Sequence, residues 1–200
     1  MTIFNLGCRI GRRPLLMAML IAVGAVVAEV SAQKPQQPLV NADAATIADF
    51  MQRVTAYVAL HHKVDASLQE PPKDGRPETF IEHERAFARA IQKERPYAKA
   101  GDIFTKPMRN IVRRLLVGVF RGPSGRDIKK SILDVDTAHI PLHVNAQYPE
   151  GAPFSTMPLE ILQGLPKLPD GLEYRFIGER LILLDAHARL IVDVVDRVFP

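Results

Sequence analysis

The sequence predicts an α+β fold: an N-terminal bundle of three to four helices, a proline-rich connector, and a C-terminal three-stranded antiparallel β-meander packed on the helices. Three observations predict it. Apolar residues recur at three- and four-residue steps through segments between 41 and 136, which is the period of one helix face. Six prolines (Pro141, Pro149, Pro153, Pro158, Pro166 and Pro169) fall between 137 and 171, where they forbid long helices and sustained central strands. From Leu172 onward, short β-compatible apolar runs alternate with turn-forming residues, the pattern of successive hairpins.

Each element follows in order. From Ala44 to Leu68, Ile47, Phe50, Met51, Val54, Tyr57, Val58, Val64 and Leu68 trace one helical stripe. Pro71, Pro72, Gly75 and Pro77 break the chain, and Glu78 to Glu94 then places Phe80, Phe87 and Ile91 on one side of a second helix closed by Pro96. Thr105 as N-cap, Pro107 in the first turn and Gly122-Pro123 at the end delimit a third helix, with Met108, Ile111, Val112, Leu115, Leu116 and Val119 as its apolar face. A short fourth helix follows Ser124, using Ile128, Ile132 and Leu133. The connector (137–171) admits one helical turn at Pro158 to Gln163, and the meander (172–200) reads as strands at Leu172 to Ile177, Arg180 to Leu184 and Leu190 to Val195. Such a meander is marginal alone and is expected to lay one face on the helices.

Ahead of this domain, residues 1–32 read as a Sec-type signal peptide. Arg9, Arg12 and Arg13 precede the apolar run Leu15 to Ala28, and Val30-Ser31-Ala32 supplies small residues for cleavage after Ala32. That run would rise only about 21 Å as a helix, short of a hydrocarbon core of about 30 Å, so no transmembrane span is expected after cleavage. Residues 33–40, with Pro35 and Pro38 among glutamines, are expected to form a flexible tether, and 41–200 a single α+β domain. The expected destination is the periplasm or the medium. Cys8 leaves with the leader, so the mature chain has no thiol for a disulfide, a metal or a nucleophile. The formal net charge is +4, and removing three arginines and Glu29 with the leader leaves the remainder closer to neutral. With no tryptophan and 6% aromatic residues, this balance argues against a nucleic-acid partner.

The runs Arg95-Pro96, Gly101-Asp102-Ile103-Phe104-Thr105, Val144-Asn145, Tyr148-Pro149, Leu165-Pro166-Lys167-Leu168-Pro169, Leu172-Glu173-Tyr174-Arg175-Phe176, Leu184-Asp185 and Leu190-Ile191-Val192-Asp193 resemble a group of uncharacterised exported bacterial proteins. The resemblance implies export and assigns no catalytic residue. The segment from Tyr174 is also similar to small C-terminal hairpin modules of periplasmic metal-homeostasis proteins.

Helical geometry singles out His61, Asp65 and Glu84. His61 falls near the centre of the first helix's apolar stripe with Asp65 one turn on, and Glu84 falls among Phe80, Ile81, Phe87, Ala88 and Ile91. Burying either charge alone is costly, so each calls for a partner, and adjacent helices would let His61 approach Glu84. One reading is a metal site or an acid/base pair, with His61 as base or ligand; the other is a satisfied core histidine and a glutamate reaching the helix edge. No His-Glu-x-x-His or Glu-x-x-His is present, His139 and His143 are separated by Pro141, and Ser155 lacks a Gly-x-Ser-x-Gly elbow. Asp185, Asp193 and Asp196 are a further cation candidate, against which Asp185 suits a turn and Asp193 the solvated side of a strand.

Lys106, Arg109, Arg113, Arg114 and Arg121 project opposite the third helix's apolar stripe. They suit either a solvated face neutralised by acids such as Glu78, Glu82 or Asp102, or an anionic patch partner: an envelope protein, a cell-wall polymer or an anionic lipid surface. The sequence thus points to an exported, non-catalytic binding or structural protein without cofactor. The alternative is a small periplasmic metal-handling protein or hydrolase using His61, Asp65 and Glu84.

Overall fold

A computed structural model describes residues 41–70, 76–137, 139–155 and 157–199, all within the unit Leu39–Pro200. The expected signal peptide and tether lie outside the described residues. Five helices and three strands follow one another: α1 (Ala42–Asp65), α2 (Pro77–Glu94), α3 (Lys106–Arg121), α4 (Gly125–Leu133), α5 (Leu159–Gly164), β1 (Leu172–Ile177), β2 (Arg180–Asp185) and β3 (Leu190–Val195). The fold is α+β, as the periodicities predict. No described helix is long and apolar enough to cross a membrane.

The helices begin and bury as their sequences dictate. The Asn41 side chain caps α1 by accepting from the Asp43 N–H at 3.0 Å, and Pro77 and Pro107 occupy first-turn positions where a missing N–H leaves no partner wanting. On α1 the buried residues Phe50, Val54, Tyr57, His61 and Val64 alternate steps of four and three, so one stripe faces inward. On α3, Met108, Val112 and Leu116 follow at steps of four and likewise face inward. The junction between α3 and α4 depends on Gly125. A Cβ there would lie 2.1 Å from the Phe120 carbonyl oxygen and 2.4 Å from its carbon, both backbone atoms that cannot swing aside. Gly125→Ala is expected to cost about 2 kcal/mol through forced separation of the two helices; a thermal midpoint equal to that of the parent would contradict the contact.

The sheet has the order β1-β2-β3, antiparallel throughout. On one face Leu172, Tyr174, Phe176, Leu181, Leu183, Leu190, Val192 and Val195 join the core formed with α1 to α5. The other face is buried over β2 and β3, with Glu173 and Arg175 of β1 half-exposed. Ile177, Ile182, Leu184, Ile191 and Val194 pack there against Ile140, Ala146 and Tyr148 of the connector. The connector is therefore the second covering layer of the sheet, which explains why every residue of β3 is buried.

It also closes the β3 edge. Asn145 N–H donates to Ile191 O at 2.8 Å, Ile191 N–H to Ala146 O at 2.9 Å and Tyr148 N–H to Arg189 O at 2.6 Å. These bonds occupy backbone groups that an exposed edge strand would offer to other chains. Asn145 adopts φ 65°, a left-handed conformation that asparagine tolerates. Its side chain donates to Arg95 O at 2.8 Å, and its carbonyl accepts from Gln92 Nε2 at 2.7 Å, so the same residue fastens the connector to the end of α2.

β3 departs from regular alternation. Leu183 pairs with Asp193 and Leu184 with Ile191, so Val192 is the extra residue of a β-bulge. Val192 belongs to the helix-side core, and Asp193, opposite the helix-side residue Leu183, lies on that same face. Strict alternation would put Asp193 on the opposite face, and the sequence reading of a solvated Asp193 is corrected on this ground: the side chain is 0% exposed.

Candidate functional site

Two carboxylates lie buried on the helix-facing side of the sheet. Asp193 is held entirely by backbone donors: Oδ1 accepts from Gly101 N–H at 2.8 Å and Val194 N–H at 2.7 Å, and Oδ2 from Ile103 and Phe104 N–H, each at 2.7 Å. Gly101 has φ +97°, a conformation that only glycine adopts without strain, and it lets the loop before α3 wrap around the carboxylate. Three of the four bonds fasten that loop to β3, and the fourth comes from Val194 of the strand itself.

Asp185, at the end of β2, receives α1. Its Oδ2 lies 2.7 Å from the Tyr57 hydroxyl and 2.6 Å from His61 Nδ1, while Oδ1 accepts from Ala188 N–H at 3.0 Å. Tyr57 and His61 stand one turn apart on α1 and so present both donors to the same oxygen. The Asp185 bond holds the imidazole pKa above its ordinary value, more than offsetting burial, and the neighbouring charges of Asp185 and Asp65 act in the same sense. Burial pushes the Asp185 carboxyl up, but the bonds from His61, Ala188 and Tyr57 outweigh it and leave the pKa below the usual range. Burial first, and then the Asp185 charge, push the Tyr57 hydroxyl well up, so it stays a proton donor. Beside this cluster, the Arg95 guanidinium lies 5.0 Å from the centroid of the Tyr57 ring.

The three sequence candidates do not converge. His61 is buried and pairs with Asp185; among the described residues no hydrogen bond or ion pair joins it to Glu84, which is half-buried on α2. Asp65 is exposed and reaches His61 only as a nearby charge. The meeting of His61 with Glu84 is thus replaced by a contact spanning 124 residues of sequence. Asp185, Asp193 and Asp196 are not gathered either: the first two are engaged as described, and Asp196 Oδ1 pairs with Arg180 at 2.9 Å. Among the described residues no group of three or more His, Cys, Asp or Glu side chains is placed to hold a metal ion. His139 and His143 are both exposed in the connector.

The basic face of α3 is partly engaged. Arg114 pairs with Asp43 at 2.7 Å, and Arg113 donates to the Asp196 carbonyl at 3.0 Å. Lys106 and Arg121 are exposed and Arg109 half-buried. The acid that meets this face is Asp43 of α1, rather than the suggested Glu78, Glu82 or Asp102.

What is open to solvent lies elsewhere. A groove of about 530 Å³ runs between α5, the segment that follows it and β1, against 240–300 Å³ for four further clefts. Met157, Leu162, Leu165, Pro166, Leu168 and Leu172 make it apolar. Leu162 is 46% exposed and Leu159, on the same helix, 62%. Gly164 allows α5 to sit against α3: a Cβ at that position would fall 2.4 Å from a Leu115 methyl. Of the polar lining groups, the Glu173 carboxylate is bound by Arg175 at 2.6 Å and the Tyr174 hydroxyl donates to Pro166 O at 3.0 Å. Of the buried cluster, Tyr57 lines one of the smaller clefts, of about 300 Å³, with Arg53, Leu60 and Arg95; His61 and Asp185 line none of the five.

Sequence reasoning missed both the Asp185 partnership and the groove. The only local sign of the groove was the spacing of apolar residues among prolines, which reads equally well as connector packing. No family model matches the chain, and no curated protein or solved structure matches it.

Proposed function

We propose that this chain is an exported, non-catalytic binding protein whose ligand occupies the apolar groove between α5 and β1. The observation that carries this reading is the contrast between the two concentrations of chemistry. The ionisable cluster Tyr57, His61 and Asp185 is buried and mutually satisfied, with only Tyr57 reaching the wall of a smaller cleft, while the larger groove is apolar and presents Leu162 to solvent. A catalytic group needs access for a substrate, whereas an open apolar concavity of this size suits a bound small molecule. Export rests on the leader, from Arg9 through the apolar run to Ala32.

The test uses the neutral apolar fluorophore N-phenyl-1-naphthylamine. The mature protein is expected to bind it saturably at one site, with enhanced and blue-shifted emission. Leu162→Glu is expected to weaken that binding at least tenfold without moving the unfolding midpoint, because the side chain is already half in water. Protein recovered from the periplasm or medium should begin at Gln33. Failure of the probe to bind, or stoichiometric metal that His61→Ala removes, would favour the metal-handling or hydrolytic alternative instead.

A further inference from the structure

The binding reading, on which this inference rests, leaves the ligand's chemistry open, and the polar groups of the groove narrow it. A peptide or sugar brings amides or hydroxyls that must find partners once they leave water. Tyr174, Glu173 and Arg175 offer little to such a ligand, since the tyrosine hydroxyl is committed to Pro166 O and the two charges to each other. The ligand body must therefore be content with hydrocarbon contacts from leucine, methionine and proline. Two lining side chains, Gln163 and Lys167, are exposed and make no side-chain hydrogen bond or ion pair among the described residues. With Glu173 already neutralised by Arg175, Lys167 is the one uncompensated charge of the lining, and it is positive.

We infer that the groove takes a single aliphatic chain carrying an anionic head, a fatty carboxylate, with its chain along Leu162, Leu165, Leu168 and Leu172 and its head at Lys167 and Gln163. The inference makes two separable demands. Affinity must rise with chain length, by roughly three- to fourfold per methylene buried. It must also depend on the sign of the head, and that dependence must shrink with added salt because Lys167 stands in solvent.

Displacement of N-phenyl-1-naphthylamine by dodecanoate, dodecanol and dodecyltrimethylammonium, each below its micelle concentration, measures the head preference. Octanoate, decanoate and dodecanoate measure the chain, and dodecyl phosphate separates a carboxylate-specific site from a general anionic one. Dodecanoate is expected to displace at least tenfold more tightly than dodecyltrimethylammonium, Lys167→Glu to invert that order, and Lys167→Arg to keep it. Equal displacement by all three heads, or an order indifferent to Lys167→Glu, would overturn the anionic head while the groove still bound its probe. Tenfold preference for dodecyl phosphate over dodecanoate would overturn the carboxylate. Refusal of the neutral probe by the wild-type protein would remove the binding reading itself along with this inference.

Discussion

Asp193→Ala is expected to destabilise the protein by about 3 kcal/mol or more, because it strands three buried N–H groups and a part-buried one, with desolvation costs of about 1–3 kcal/mol for each buried group. Three of those donors, Gly101, Ile103 and Phe104, lie some 90 residues away in sequence, so the carboxylate is the tie between β3 and the loop that starts α3. Urea unfolding at neutral pH measures the loss. Asp193→Asn keeps one acceptor oxygen and sets an amide NH₂ against the remaining donors, so it should fall between parent and alanine variant. Amide exchange supplies a local readout: Gly101, Ile103 and Phe104 should lose protection in Asp193→Asn before the helices do. An alanine variant within about 1 kcal/mol of the parent would mean that water replaces the carboxylate at little cost, and the tie would not be structural.

The same residue shows where the sequence stops being informative. Helix stripes and strand runs are local and periodic, which is why the element ends differ from expectation by only a few residues: α1 ends at Asp65 rather than Leu68, and β2 extends to Asp185. A bulge breaks the period at Val192, and nothing within the run Leu190 to Val195 announces it. From that point alternation assigns Asp193 to the wrong face. His61 was legible as a buried ionisable group because helix angles alone put it on the stripe. Its partner was not, since proximity to Glu84 required only adjacent helices whereas Asp185 required knowing that β2 ends beneath α1.

The connector makes the complementary point. Proline density correctly forbids long helices there, but it is silent on packing, and the segment turns out to cover the β2 and β3 side of one face of the sheet through Ile140, Ala146 and Tyr148. The motifs on which the resemblance to exported bacterial proteins rests include Gly101 to Phe104, Asn145, Asp185 and Asp193. In the fold these are fasteners: they join loop to sheet, connector to helix and helix to sheet. The same runs also supply Leu165, Leu168 and Leu172 of the groove, so fasteners and groove wall lie in the same stretches of sequence.

The second large effect belongs to the His61–Asp185 pair. Removing one member of a buried ion pair typically costs about 3–5 kcal/mol, since the other is left without its counter-charge, and His61→Ala is expected near the lower figure because Tyr57 and Ala188 still donate to Asp185. The pH dependence follows from the two shifts. His61 has its pKa raised in the folded state, so its contribution is complete below the unfolded value of about 6.5 and is lost as the pH rises through the folded value. Asp185 has its pKa lowered, so its contribution is complete above about 4 and is lost as the pH falls through the folded value. Stability should therefore be greatest between about pH 4 and 6.5 as far as this pair is concerned, and decline on the alkaline side. His61→Ala should remove that alkaline decline. The rings of His62 and His187 lie 5.5 and 5.7 Å from that of His61, and the charge of exposed Asp65 also acts on it. The double variant His62→Gln/His187→Gln isolates the pair and should retain the decline. Unfolding midpoints from pH 4 to 9 that stay level in the double variant, or that still fall in His61→Ala, would show that some other group sets the alkaline limb and that the imidazole is held neutral against Asp185.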